Sequence, residues 1–243
     1  MKEGEVFSTK EGCSVVVISY QNSCNVLVEF LDENKHRATV PAGNLRTGRV
    51  KNPFYPSMLG VGHFGAGPHK AGIVGKFTPA YVAWKGIIRR CYSASFHTKC
   101  PTYIGCSVSP EWLNFQSFAA WHKKEPNSEG LGFDLDKDLR RGGNKVYSPE
   151  DCSFVPQQIN KLLCDSCASR GSLPQGVKAN GKGFSARLRV KSKYLHLGTY
   201  ATPELAFEVY KKAKEANVRS MAEEWRDYLH PEVYAYLKAW TLL

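Results

Sequence analysis

The sequence predicts an α+β chain built from several small domains, and three observations carry that prediction. Apolar and polar residues alternate at period two near the N-terminus and again between Phe184 and Val190. Helical spacing takes over after Tyr81 and after Thr202, and Gly- and Pro-rich punctuation falls between the periodic stretches. At 243 residues the chain exceeds the size at which one small core is the norm, so several units are expected.

In chain order, residues 1–52 hold the runs Ser14-Val15-Val16-Val17-Ile18 and Asn25-Val26-Leu27-Val28-Glu29-Phe30, separated by turn residues. They predict a small β-barrel or sheet. Residues 53–77 are rich in Gly and Pro and read as a linker. Residues 78–165 form a middle unit that opens on a helix with Trp84, Ile87, Ile88 and Cys91 on one side. It continues through Phe133-Asp134-Leu135-Asp136-Lys137-Asp138, the loop Gly142-Gly143-Asn144, Tyr147 to Cys152, Phe154-Val155-Pro156 and Asn160. Acidic residues on a strand and an amide on the following helix suit a hard cation such as Mg²⁺.

Residues 170–220 form a further unit. From Arg170 to Tyr200 there are seven basic residues and no Asp or Glu. Alternation places Phe184, Ala186, Leu188 and Val190 on one strand face and Ser185, Arg187, Arg189 and Lys191 on the other. Leu195 and Leu197 continue the inner face, Tyr194 and His196 lie beside the arginines, and Lys191-Ser192-Lys193 is the turn. Thr202 then caps a helix with Pro203 in its first turn and Ala206, Phe207, Tyr210 and Ala213 on one stripe. A one-signed sheet face fits a nucleic-acid backbone: Arg187 and Arg189 suit base edges, while Lys178, Lys182, Lys191 and Lys193 suit phosphate. Residues 221–243 predict C-terminal helices broken near His230-Pro231, their aromatic rings used for packing or, as the alternative, for a homodimer contact.

The net charge of +11 and pI near 9.2 agree with a polyanionic partner. No apolar run reaches the length of a membrane span and Met-Lys-Glu-Gly opens no signal core, so a cytoplasmic location with no membrane partner is expected. The eight scattered cysteines are expected as reduced thiols. Cys164-x-x-Cys167 is their one close pair and lacks a second pair at zinc spacing, so no zinc site is expected.

Two stretches resemble known families. Gly176-Val177-Lys178, Gly183 to Val190, Leu197-Gly198-Thr199-Tyr200 and the Thr202-Pro203-Glu204 helix resemble the APETALA (ethylene-response-factor) DNA-binding domain, which implies a three-stranded sheet read into the major groove of double-stranded DNA. His196 replaces an aromatic reader of that family and Arg187 stands where plant members often carry an acid, so no target sequence carries over. Residues 81–163 resemble the HNH (ββα-metal) nucleases, in particular the phage-borne group similar to homing endonucleases. That likeness implies a Mg²⁺- or Mn²⁺-dependent endonuclease working in cytoplasm, the host's for a phage protein. Carried over position by position, Asp136 matches the metal-binding Asp, Lys137 the general-base His, Asp151 the Asn that steadies the loop, and Asn160 the metal-binding Asn of the helix. The N-terminal strands resemble SH3-like modules.

Lys137 departs from the nuclease pattern, because an ordinary lysine titrates at about 10.4 and is protonated at neutral pH. Neither His97 nor His122 is expected to replace it as base. Two expectations therefore stand: an endonuclease, or a DNA-binding protein with a retired catalytic fold that acts as a repressor or architectural factor.

Overall fold

Valines at alternate positions build the first sheet. The computed structural model describes residues 1–163, 172–191 and 193–242, divided into two compact units, Met1–Lys123 and Lys124–Leu243. In the first, β1 (Val6–Ser8), β2 (Ser14–Asn22), β3 (Asn25–Phe30) and β4 (Arg37–Val40) form an antiparallel meander in chain order. Val15, Val17, Val26, Val28 and Phe30 are buried on one face. The sheet is open where a small barrel was expected, since β1 and β4 do not pair with each other. Edge strands of three and four residues offer few ladder bonds for closure, and α1 (Ala42–Arg46) covers the apolar face with Ala42 and Leu45 instead.

The Gly/Pro-rich stretch expected as a linker is packed. It carries a short hairpin, β5 (Gly72–Ile73) and β6 (Lys76–Phe77). The Gln116 amide donates to the carbonyls of Phe64 (3.3 Å) and His69 (2.9 Å) and accepts from the His69 N–H (2.9 Å). A Cβ at Gly62 would lie 2.9 Å from the Trp84 ring, and one at Gly65 would lie 2.1 Å from the Asn114 side-chain oxygen. Glycine here permits close approach, which composition alone reads as flexibility.

α2 (Pro79–Tyr92) starts where the Thr78 hydroxyl accepts from the Tyr81 N–H (3.3 Å), with Pro79 at the first helical position. Its stripe of Tyr81, Trp84, Ile87, Ile88 and Cys91 is buried. α3 (Ala94–Lys99), β7 (Ser107–Val108) and α4 (Phe115–Lys124) complete the unit. The rings of Phe64, Tyr81, Trp84 and Phe115 meet at 5.5–6.1 Å, and Trp84 Nε1 donates to the Trp112 carbonyl (2.7 Å).

The second unit begins with β8 (Phe133–Asp136), β9 (Val146–Tyr147), β10 (Ser153–Pro156) and α5 (Gln157–Leu163). β8 and β10 pair antiparallel, with Asp136 opposite Ser153 and Asp134 opposite Val155. Then β11 (Val177–Asn180), β12 (Gly183–Val190) and β13 (Lys193–Tyr200) form an antiparallel sheet in chain order. α6 (Pro203–Glu224) follows, capped by the Thr202 hydroxyl, and α7 (Pro231–Ala239) ends the fold.

α6 is 22 residues long, about 33 Å of helix. Its first half packs Ala206 and Tyr210 against Val177, Ala186 and Leu188 of the sheet. Its second half sets Val218, Met221 and Ala222 against Leu139, Val155 and Ile159 and against Val233 and Leu237 of α7. One helix thus backs both the basic sheet and the acidic hairpin. The C-terminal rings Trp225, Tyr234, Tyr236 and Trp240 pack on this second core, while Tyr228 stays half-exposed. Among the described residues no helix is long and apolar enough to cross a membrane.

Candidate nucleic-acid interface

Strand register decides which side chains of the sheet stand together. Arg187 pairs with His196 and Arg189 with Tyr194, while Leu188 pairs with Leu195 on the inner side. The register shifts between Ala186 and Arg187, because Ala186 pairs with Gly198 and Leu197 is the extra residue. This bulge lets Leu197 pack on the sheet core while His196 keeps the outer face. Gly198 takes φ +125 at the bulge, and a Cβ there would sit 2.7 Å from the Tyr200 hydroxyl. Leu195 is 53% exposed on the edge strand, less covered than its inner position suggests.

Arg187, Arg189, Lys178, Lys182, Lys193, Tyr194 and His196 are all exposed. The Arg189 guanidinium lies 5.9 Å from the centroid of the Tyr194 ring, which is 74% exposed. Lys178 is opposite Ser185 on the adjoining strand, and Lys182 lies in the β11–β12 turn. A cleft of about 680 Å³ runs beside Lys178, Arg187 and Tyr194, lined also by Leu173 and Pro174. Lys191 differs from the rest: its ammonium pairs with Glu224 of α6 at 2.9 Å, an acid outside the acid-free segment. Arg170, Ser192, Cys164 and Cys167 lie outside the described residues.

On the acidic hairpin, period two sends Asp134 and Asp136 to the same side of β8, with Leu135 buried on the other. Asp136 Oδ1 accepts from the N–H groups of Asp138 and Leu139, each at 2.8 Å, and so closes the turn after β8. Burial pushes its carboxyl above the ordinary carboxylate value, against the opposing pull of those two bonds. Asn160 Nδ2 points at Asp134 Oδ2 (3.4 Å), and Gln157 Nε2 donates to Asp134 Oδ1 (3.0 Å). Asn160 thus meets the hairpin at Asp134 through its nitrogen. Mg²⁺ and Mn²⁺ take oxygen ligands, which the Asp134 and Asp136 carboxylates on this face supply.

Lys137 is 8% exposed at its side chain, and Nζ donates to Asp138 Oδ1 and to the Asn144 carbonyl, each at 2.6 Å. It also lies 5.8 Å from the Tyr147 ring centroid. Asn144 answers across the loop: Nδ2 donates to the carbonyls of Lys137 (3.0 Å) and Val146 (2.6 Å), and Oδ1 accepts from the Val146 N–H (3.0 Å). Lys137 and Asn144 together staple the loop. Asp151 accepts from the Ser148 hydroxyl (3.2 Å) and pairs with Arg141 (3.0 Å), so it steadies the neighbouring turn. Asn144 was not among the expected site residues, although the Gly-Gly-Asn loop held the signal. His97 Nε2 meets the Arg90 carbonyl at 2.7 Å and His122 is buried, both in the first unit. Burial also raises the Cys152 thiol, and no disulfide joins the six described cysteines.

A pH test follows from Asp136. Its folded carboxyl titrates above the unfolded value of 3.8, so burial of the ionised form costs stability once pH exceeds that value and costs nothing below it. Asp136→Asn keeps an oxygen for the two turn N–H groups and removes the charge. The variant is expected to equal or exceed the parent in stability at pH 7 and to converge with it as pH falls toward 3.8, read by thermal unfolding across that range. A variant clearly less stable at pH 7 contradicts burial as the dominant cause.

No family model, curated protein or solved structure matches this chain.

Proposed function

We propose that this is a double-stranded DNA-binding protein that reads its site with the outer face of β11–β13. One observation carries the reading: Arg187 with His196 and Arg189 with Tyr194 form two adjacent cross-strand rows on an exposed sheet face whose strands bear no acid. Guanidinium groups on such rows reach guanine edges in a major groove, and Lys178, Lys182 and Lys193 around them hold phosphate. The basic surface extends past the sheet. A cleft of about 640 Å³ is lined by Arg189 and by Lys161 of α5, with Lys191 paired to Glu224 and a buried Lys214 donating to the Leu162 carbonyl. In this reading the stapled hairpin is a scaffold, because Lys137 is engaged as a donor and Asp136 as a turn cap.

The test is a salt titration of duplex binding. Lys178→Ala or Lys193→Ala is expected to weaken binding evenly across sequences and to reduce the slope of log K against log salt by about one unit. Unchanged slopes in both variants contradict the phosphate role, and equal preference for RNA duplex contradicts the choice of DNA.

A Mg²⁺- or Mn²⁺-dependent endonuclease is the second reading, favoured by one observation. Asp134 and Asp136 share a face of β8, and Asn160 of α5 reaches that face at Asp134. Supercoiled plasmid incubated with either metal or with EDTA separates the readings: metal-dependent nicking that Asp136→Ala abolishes supports the nuclease, and duplex binding without nicking supports the scaffold.

A further inference from the structure

From Asn34 to Pro110 the chain carries eleven Lys and Arg and no Asp or Glu, a longer acid-free stretch than the one containing the sheet. Its most exposed apolar point is the β5–β6 hairpin. Ile73 pairs with Lys76, which leaves the two-residue turn Val74-Gly75. Both turn residues have positive φ, +48 at Val74 and +75 at Gly75. Two-residue turns of this kind favour Asn-Gly, and a β-branched residue is strained at positive φ. Val74 is nevertheless 95% exposed and gains no burial there, with Ile73 61% and Phe77 65% exposed beside it. Local stability does not account for that choice of residue.

The hairpin is short and firmly mounted. The Thr78 N–H donates to the Ala71 carbonyl (3.0 Å), its hydroxyl donates to the Lys70 carbonyl (3.1 Å), and the same residue caps α2. The Phe77 ring meets Tyr81 at 5.0 Å, tying the hairpin base to the aromatic core. Exposed Lys76 adjoins the turn, and exposed Lys70 and Lys85 stand at the hairpin base, with the Lys85 ammonium 5.7 Å from the Phe77 centroid.

We infer that the Val74 tip is a wedge that enters a DNA duplex between base pairs from the minor groove, with Ile73 behind it and Lys70, Lys76 and Lys85 on the flanking phosphates. Apolar residues on a rigid tip, with cations beside it and at its base, are the chemistry that unstacks a base step and kinks the helix. The surrounding charge selects a polyanion, and the tip is too small to bury the area that a stable protein interface needs. The inference extends the duplex-binding reading and rests on it.

The experiment measures bending by energy transfer between the labelled ends of a duplex, together with affinity, for the full chain and its variants. The parent is expected to bend the duplex. Val74→Asn is expected to abolish the bend and weaken binding about tenfold, the equivalent of one buried valine side chain, without lowering the melting temperature. Ile73→Ser is expected to reduce the bend in part. Arg187→Ala/Arg189→Ala serves as the parallel control, since its effect falls on sequence preference. A parent-like bend and affinity in Val74→Asn overturns the wedge while the sheet reading stands. Val74-dependent binding to phosphatidylglycerol vesicles with no duplex bend also overturns it, and failure of the parent to bind duplex overturns both.

Discussion

Replacing Arg187 and Arg189 together by alanine is expected to erase sequence preference. Each good bidentate contact to a base is worth about 1–3 kcal/mol of discrimination, so losing two removes between about thirtyfold and about twenty-thousandfold between a cognate and a scrambled site. Non-specific affinity falls far less, because Lys178, Lys182 and Lys193 remain. The expectation follows from the register, which places Arg187 beside His196 and Arg189 beside Tyr194 on one exposed face. The pairs separate cleanly: His196→Ala tests the first row, and Tyr194→Ala removes the ring that the Arg189 guanidinium overlies. Competition binding at fixed salt checks all of them.

The second large effect concerns α6. Met221 is buried in the core that α6 shares with the acidic hairpin, and its truncation to alanine is expected to cost about 2–5 kcal/mol. Because the same helix carries Ala206 and Tyr210 into the core of the basic sheet, the loss should spread. Hydrogen exchange is expected to show reduced protection in β11–β13 as well as in β8 and β10. Loss confined to β8 and β10, with the sheet protected as before, means that the two cores open independently.

Much of the sheet was legible because its inner and outer residues differ in kind. Phe184, Ala186, Leu188 and Val190 against Arg187 and Arg189 leave one assignment of faces, although Ser185, expected beside the arginines, is buried, and Thr202-Pro203 marks where the helix begins. The bulge at Leu197 was not legible, since the extra residue is defined only by its partners across the ladder. Nor was the length of α6. Its inward stripe changes partners between Ala213 and Val218, so the sequence reads as two helical pieces where one unbroken helix lies against two cores. The Gly/Pro segment misled for a related reason, because glycine chosen for contact with Trp84 and Asn114 has the composition of a flexible spacer. The hairpin showed its acids and its loop, while the partners of each were fixed only in three dimensions. Asn144 and Lys137 bind one another across seven residues, and Asn160 of the following helix meets Asp134.

Guanine N7 methylation interference tests the central claim most directly, on duplexes recovered from a random pool by the full chain. The account predicts strong interference at one or two guanines in the major groove, and loss of that interference with the Arg187→Ala/Arg189→Ala protein. Recovery of the same duplexes by both proteins, with no guanine whose methylation weakens binding, contradicts a sheet that reads bases.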